Sequence, residues 1–330
     1  MLKKTAAYMM VKRGEKQSPL LEEMEVLQVP PEDNPSFNDS FYFTGHDESG
    51  SWLITRMGFR GDGSNEFWFD LHIPGVGKLT SPPKKYKRGS DISMGPLAYR
   101  CITPGETWQI TFDGPMMLEN KSVNVKANLN FKKTTRIVNF KRDVDSWSIA
   151  GHMARQKWTR AWFEKLKELS QIHIEQGGRI TGTITVDGSE HPVDLRAVRD
   201  HTYGTRNWEA MQRHVWLAAL MEDKSIINIA LVNYSFLPFI HSGYVGLENT
   251  ILPVTGTGDF SDVPAGDPTG KSFTLPFKYR GGGSHTLEVE VFDKCTYGMG
   301  TGYTIYEGTA RFSLNGKKGV GISEFGFYNK

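Results

Sequence analysis

Apolar and polar residues alternate with a period of two along most of this chain. Between 122 and 131, Val123, Val125, Ala127 and Leu129 share one parity, while Asn124, Lys126, Asn128 and Asn130 take the other. That alternation predicts a half-buried β-strand. Earlier strands are predicted at Phe41-Tyr42-Phe43, 52–59 and 66–73, divided by turn formers at 45–50 and 60–65. Runs at 97–103 and 107–112 follow. One segment breaks the rhythm. Across 152–170, Ala154, Trp158, Ala161, Trp162, Leu166 and Leu169 recur at helical spacing with charges opposite. This predicts a packed linker helix. Alternation resumes at Ile180, Gly182, Ile184 and Val186, turns at Asp187-Gly188 and returns through Val193, Leu195 and Ala197. Further runs at 214–221, 225–234, 272–279, 285–292, 303–314 and 321–327 bring the strands after the helix to about eight or nine. Such a number suits a closed antiparallel barrel, which leaves no edge exposed.

These elements predict an all-β fold in two antiparallel sandwich or barrel domains. An extended N-terminal arm covers 1–35, a β-sandwich or barrel 36–150, the linker helix 151–170 and a barrel 171–330. A chain of 330 residues is long enough for two cores.

Composition narrows the function classes. The 39 basic and 37 acidic residues nearly cancel, so no clustered basic field favours nucleic acid. One basic cluster, Lys84-Lys85-Tyr86-Lys87-Arg88, follows Pro82-Pro83 and reads as a solvated loop. Cys101 and Cys295 lie far apart and suit a reducing, cytoplasmic compartment. No segment approaches the roughly 20 apolar residues of a spanning helix, so no stable membrane insertion is expected. The apolar run Ala6 to Val11 is too short for a secretory signal. Sequons at Asn38, Asn120 and Asn233 then read as chance matches.

Several motifs mislead. Ala265 to Ser272 fits a relaxed phosphate-loop pattern, but it leads into a strand-like run instead of a helix. Gly298-Met299-Gly300-Thr301-Gly302 also precedes a strand and reads as a tight turn. The nine histidines lack paired ligand spacing, so no metal is expected.

The densest chemistry runs from Arg199 to Trp216, with Asp200, His201, Tyr203, Arg206, Trp208, His214 and Trp216. In an apolar pocket, a carboxyl or imidazole can protonate an alkene or carbonyl. Indole and phenol faces stabilise a developing cation, and Tyr, Trp or Arg donors polarise a carbonyl. The plainer reading is an ion-paired network with Trp208 and Trp216 as core anchors. His214 and Trp216 share a parity, so they face together with Ala218 and Leu220.

Three runs carry a resemblance: Ile174-Glu175-Gln176-Gly177-Gly178-Arg179-Ile180-Thr181-Gly182; Arg199-Asp200-His201-Thr202-Tyr203-Gly204-Thr205-Arg206-Asn207-Trp208; and Tyr306-Glu307-Gly308 with Gly321-Ile322-Ser323-Glu324-Phe325-Gly326. Together they resemble the lipocalin-like family of carotenoid 1,2-hydratases (hydroxyneurosporene synthases), AttH-like proteins and fungal Diels–Alderases. The stretch Asn34 to Phe43 resembles the animal branch labelled phosphoenolpyruvate-synthase-like. The resemblance implies two β-rich domains, the second a lipocalin-like barrel, with an apolar pocket. It implies a cofactor-independent hydratase, cyclase or isomerase of an extended isoprenoid- or polyketide-like molecule. Asp200 or His201 would be the catalytic acid, with Asp200 alternatively orienting His201. Tyr203 and Trp208 would shape the pocket, Arg206 or His214 would hold a polar end, and Trp216 would line the wall. Thr202-Tyr203 stands where many relatives have Ser-Trp, which weakens the transfer of any one reaction. The alternatives are a non-catalytic carrier of a lipid, pigment or terpenoid, and a structural lock. The expected partner is a hydrophobic small molecule.

Overall fold

The computed structural model describes residues 1–15, 19–30, 34–82, 91–169, 171–299 and 302–328. The basic cluster at 84–88 lies outside the described residues. The fold is all-β as expected, in two compact units. One comprises 19–137 with 171–205; the other comprises 1–18, 138–170 and 206–330.

The first unit is an antiparallel sheet. Its strands run in the order Gly77–Thr80, Glu66–Ile73, Trp52–Arg60, Phe37–His46, Ser189–Thr205, Gln171–Val186, Lys121–Lys133, Thr107–Leu118, Leu97–Thr103 and Ser93–Met94. Leu79 also pairs with Leu118, so the sheet curls back on itself. Inside the curl, Phe41, Phe43, Phe69, Trp108, Phe112 and Phe131 share one apolar core with Val123, Val125, Ala127 and Leu129. Asp187 and Gly188 adopt the positive φ values, 46° and 87°, that a tight hairpin turn needs.

That hairpin corrects the expected boundary at 171. It inserts between Phe37–His46 and Lys121–Lys133 instead of opening the barrel. A period of two shows that a strand has one buried face. It does not say in which sheet the strand is buried.

In the second unit, eight strands of the described residues close into a barrel: Met211–Met221, Ile226–Tyr234, Leu237–Leu247, Thr250–Thr257, Ser272–Tyr279, Ser284–Gly298, Tyr303–Leu314 and Lys317–Tyr328. Val215, Leu217, Ile229, Leu231, Phe277 and Phe325 point inward and belong to one buried apolar cluster. The phosphate-loop look-alike is the connection into strand Ser272–Tyr279.

Two further expectations change. The N-terminal arm is not wholly extended: Leu2–Glu15 is a helix, and its Ala7 is buried with Ala150, Met153 and Trp162. Tertiary burial of a small apolar face outweighs a weak local signal. The linker helix is two helices, Ser146–Ala154 and Arg160–Lys167, within the barrel unit. Asp145 caps the first. Thr159 caps the second by accepting from the Trp162 amide, so the chain restarts there. No helix among the described residues is long and apolar enough to cross a membrane.

Candidate active site

The predicted site residues divide between the units. Asp200, His201 and Tyr203 lie on strand Ser189–Thr205, whereas Arg206, Trp208, His214 and Trp216 belong to the barrel unit. Consecutive residues on a strand face opposite sides of the sheet. Arg199, His201 and Tyr203 therefore share a face with their cross-strand partners Phe43, Phe41 and Asp39. Asp200 and Thr202 point the other way. This corrects the expectation that Asp200 orients His201.

The inward face is closed. Arg199 donates to Glu25 at 2.6 Å and to Gln176 at 2.8 Å, and Trp108 donates to the other Glu25 oxygen at 2.8 Å. His201 has both ring nitrogens engaged: Nδ1 donates to the Met24 carbonyl and Nε2 meets Asp39, each at 2.7 Å. Its ring stacks on Phe41 at 3.8 Å, and the side chains of His201 and Asp39 are both fully buried. This histidine ties the short 3-10 turn Glu22–Glu25 to the sheet. Tyr203 lies beside it, its phenol pushed up to about 12 by burial and by the Asp39 and Glu23 carboxylates.

The outward face carries two polar rows that cross the sheet. Register places Glu175, Asp200, Tyr42, Arg56 and Trp68 in one row, and His173, Thr202, Ser40, Gly58 and Glu66 in the next. Nε2 of His173 lies 2.5 Å from Asp200 and 3.1 Å from Glu175. Thr202 donates to Asp200 at 3.1 Å. Burial opposes charge on the imidazole, but the Asp200 carboxylate and then Glu175 outweigh it, so His173 is pushed up to about 10. The His173 side chain is 31% exposed and that of Asp200 16%. Farther along, Arg56 donates to Ser40 at 2.8 Å and to Glu66 at 3.0 Å, and stacks over Trp68. Gly58 makes room for this guanidinium, since a Cβ there would stand 2.8 Å from it.

His173, Glu175 and Asp200 each offer one ligand atom, all within 4.8 Å of one another. The trio that draws a proton has the donor types that also hold a divalent cation. Sequence spacing concealed it, because the ligands sit on separate strands and meet only through pairing.

The barrel unit gathers a second cluster. Val215 and Leu217 point into the barrel, so His214 and Trp216 face outward with the buried Ala218 and Leu220, as their parity predicts. They do not line the lumen. His214 pairs with Glu324 through Nε2 and meets the Tyr303 hydroxyl at 2.5 Å through Nδ1. Gly326 sits opposite His214, and a Cβ there would collide with the ring. Glu307 is the register partner of Glu324. Burial alone would raise the Glu324 carboxyl, but His214, the Glu307 hydrogen bond and Arg206 hold it below its ordinary value. Burial, then the Glu324 charge, drives the Tyr303 phenol upward and keeps it a donor. Arg206 stacks over Trp208 at 4.6 Å, and Trp208 lies 5.2 Å from Tyr303. In this order a carboxylate orients an imidazole, and the imidazole can accept a hydrogen bond from the hydroxyl. Tyr303 and Glu307 are buried away from solvent.

Residues 22–328 match the model of a family described as Domain of unknown function (DUF7064). The chain belongs to that family. No curated protein matches the sequence. Among solved structures, an AttH-type protein of Nitrosomonas europaea aligns with a TM-score of 0.57 at 13% identity, over 95% of this chain and 100% of its own. Kievitone hydratase of Nectria haematococca aligns with a TM-score of 0.53 at 12% identity, over 93% of this chain and 94% of its own. CghA aligns at 0.41 with 9% identity, over 91% and 93%. The AttH and hydratase likenesses show a shared fold, and the expected AttH-like resemblance holds at that level.

Proposed function

We propose that this member of the family is an acid–base enzyme of the hydratase or cyclase type, with Asp200 and His173 moving the proton. The observation that carries the reading is the His173 imidazole held between Asp200 and Glu175 on a partly exposed face. It keeps one exchangeable proton within a substrate's reach. A substrate that excludes water favours the neutral carboxylic acid and imidazole over the ion pair. The proton then passes from His173 to Asp200, and Asp200 delivers it to one carbon of an alkene. Tyr42, the register partner of Asp200, supplies a ring on the same face for the developing cation. Water captures the cation, and its proton returns through Asp200 to His173, so the net change is addition of water. In a cyclisation, a neighbouring double bond replaces the water and a carbon-bound proton returns.

The fold shared with a hydratase supports this class. The resemblance of the Arg199–Trp208 signature supports an extended isoprenoid- or polyketide-like substrate. His201 is assigned a positioning role through the strand it anchors, and Tyr203 packs beside it on the same closed face. Arg206, Trp208, His214 and Trp216 belong to the barrel unit and are given no part in this site. The test begins with ligand extracted from the purified protein and identified by mass spectrometry. Asp200→Asn is expected to lower its turnover about 10²- to 10⁴-fold while ligand binding holds. Unchanged handling of that ligand by both Asp200→Asn and His173→Gln leaves a carrier and removes the enzyme.

A further inference from the structure

Beyond the row of His173, Thr202 and Ser40, the same face of the sheet carries Asn38, paired with Gly204 on one side and Arg60 on the other. Asn38 is only 3% exposed. Neither its carboxamide oxygen nor its nitrogen has a hydrogen-bond partner among the described residues. Nearby polar groups are engaged with one another. Arg56 and Arg60 hold Glu66, Thr202 donates to Asp200, and Asn34 donates to Thr205. Gly204, the register partner of Asn38, carries no side chain.

A buried donor and acceptor left unmet cost about 1–3 kcal/mol each. A stable sheet tolerates such a pair where a ligand completes it. We infer that Asn38 anchors the polar end of the substrate, and so determines specificity at the site proposed above. Its carboxamide offers a donor and an acceptor side by side, which matches a primary amide or a protonated carboxyl group in two parallel hydrogen bonds. Asn38 is four residues from Tyr42, the register partner of Asp200, a separation of about 13 Å along a strand. The ligand class is therefore an elongated molecule with an amide or carboxyl at one end and its reacting carbon far from it. The anchor rests on the acid–base reading for the identity of that reacting end.

Asn38→Leu, close in shape and apolar, tests the inference without knowledge of the natural substrate. The ligand-free variant should melt at least about 4 °C above the parent, because two unmet polar atoms are gone. A fall of similar size would mean that the carboxamide is bonded within the protein, and would overturn the inference. Binding is read with two probes, dodecanamide and methyl dodecanoate. The parent should prefer the amide by about tenfold or more, and Asn38→Leu should erase that preference. A parent without the preference, or a variant that keeps it, overturns the anchor. Asp200→Asn separates the two readings: it should keep the amide preference while losing turnover. Full turnover in Asp200→Asn would sink the acid–base assignment and leave the binding result to judge Asn38 alone.

Discussion

His201 and His173 are both imidazoles held by carboxylates on one sheet, yet they face opposite sides of it. His201 meets Asp39 and the Met24 carbonyl with no exposure. Its proton has nowhere to go, and the pair serves as a fastening. His173 meets Asp200 and Glu175, retains about a third of its surface, and carries a proton that solvent or substrate can exchange. The same ingredients thus give a structural contact on one face and a proton site on the other. Access and the number of facing carboxylates separate them.

The largest effect expected on this comparison comes from the closed face. Arg199→Met leaves the Glu25 carboxylate buried without its cation, and should destabilise the fold by about 3–5 kcal/mol in denaturant unfolding. A loss as small as that of a surface substitution would show that the inward face is not sealed. His201→Asn keeps a donor for Asp39 but cannot also reach Met24. It should cost about 1–3 kcal/mol, and turnover per folded molecule should change less than in Asp200→Asn. A turnover loss equal to that of Asp200→Asn would move the acid to the inward face.

A further effect is one of pH. His173 is raised from 6.5 to about 10 in the folded chain. Its contribution is fully present below about pH 6.5 and fades as pH rises through about 10. His46 and His152 run the other way, lowered to about 3 and about 4, chiefly by burial. Their contribution is present above pH 6.5 and is lost as pH falls toward those values. Melting curves across pH should therefore decline on both sides. His173→Gln should flatten the alkaline side and leave the acid side as it was. An unaltered alkaline decline in that variant would show that His173 is not held charged.

Much of the fold was legible in the chain. Val123, Val125, Ala127 and Leu129 announced their buried face, and Asp187-Gly188 announced its turn. The shared side of His214 and Trp216 followed from parity. The short helix at Leu2–Glu15 gave little signal, because only a small face, with Ala7 at its centre, is buried. The site was legible in part. Asp200 stood out within a dense signature, but His173 lay outside it, and Glu175 was visible only as part of a motif. Tyr303, Glu307 and Glu324 were missed in the same way, since they join His214 only when strands Tyr303–Leu314 and Lys317–Tyr328 align with Met211–Met221.

By itself the sequence determined the β-rich class, most of the strand positions and which side chains on each of those strands face the same way. These follow from local geometry, in which successive residues alternate sides. It did not announce the barrel strands Leu237–Leu247 and Thr250–Thr257. The tertiary structure decided which strands became neighbours and in what register. It returned residues 171–205 to the first sheet and set Asp200 against His173. Pairing is fixed by the burial of whole faces and the closure of a sheet, and so the partner of a catalytic side chain need not be near it in the chain.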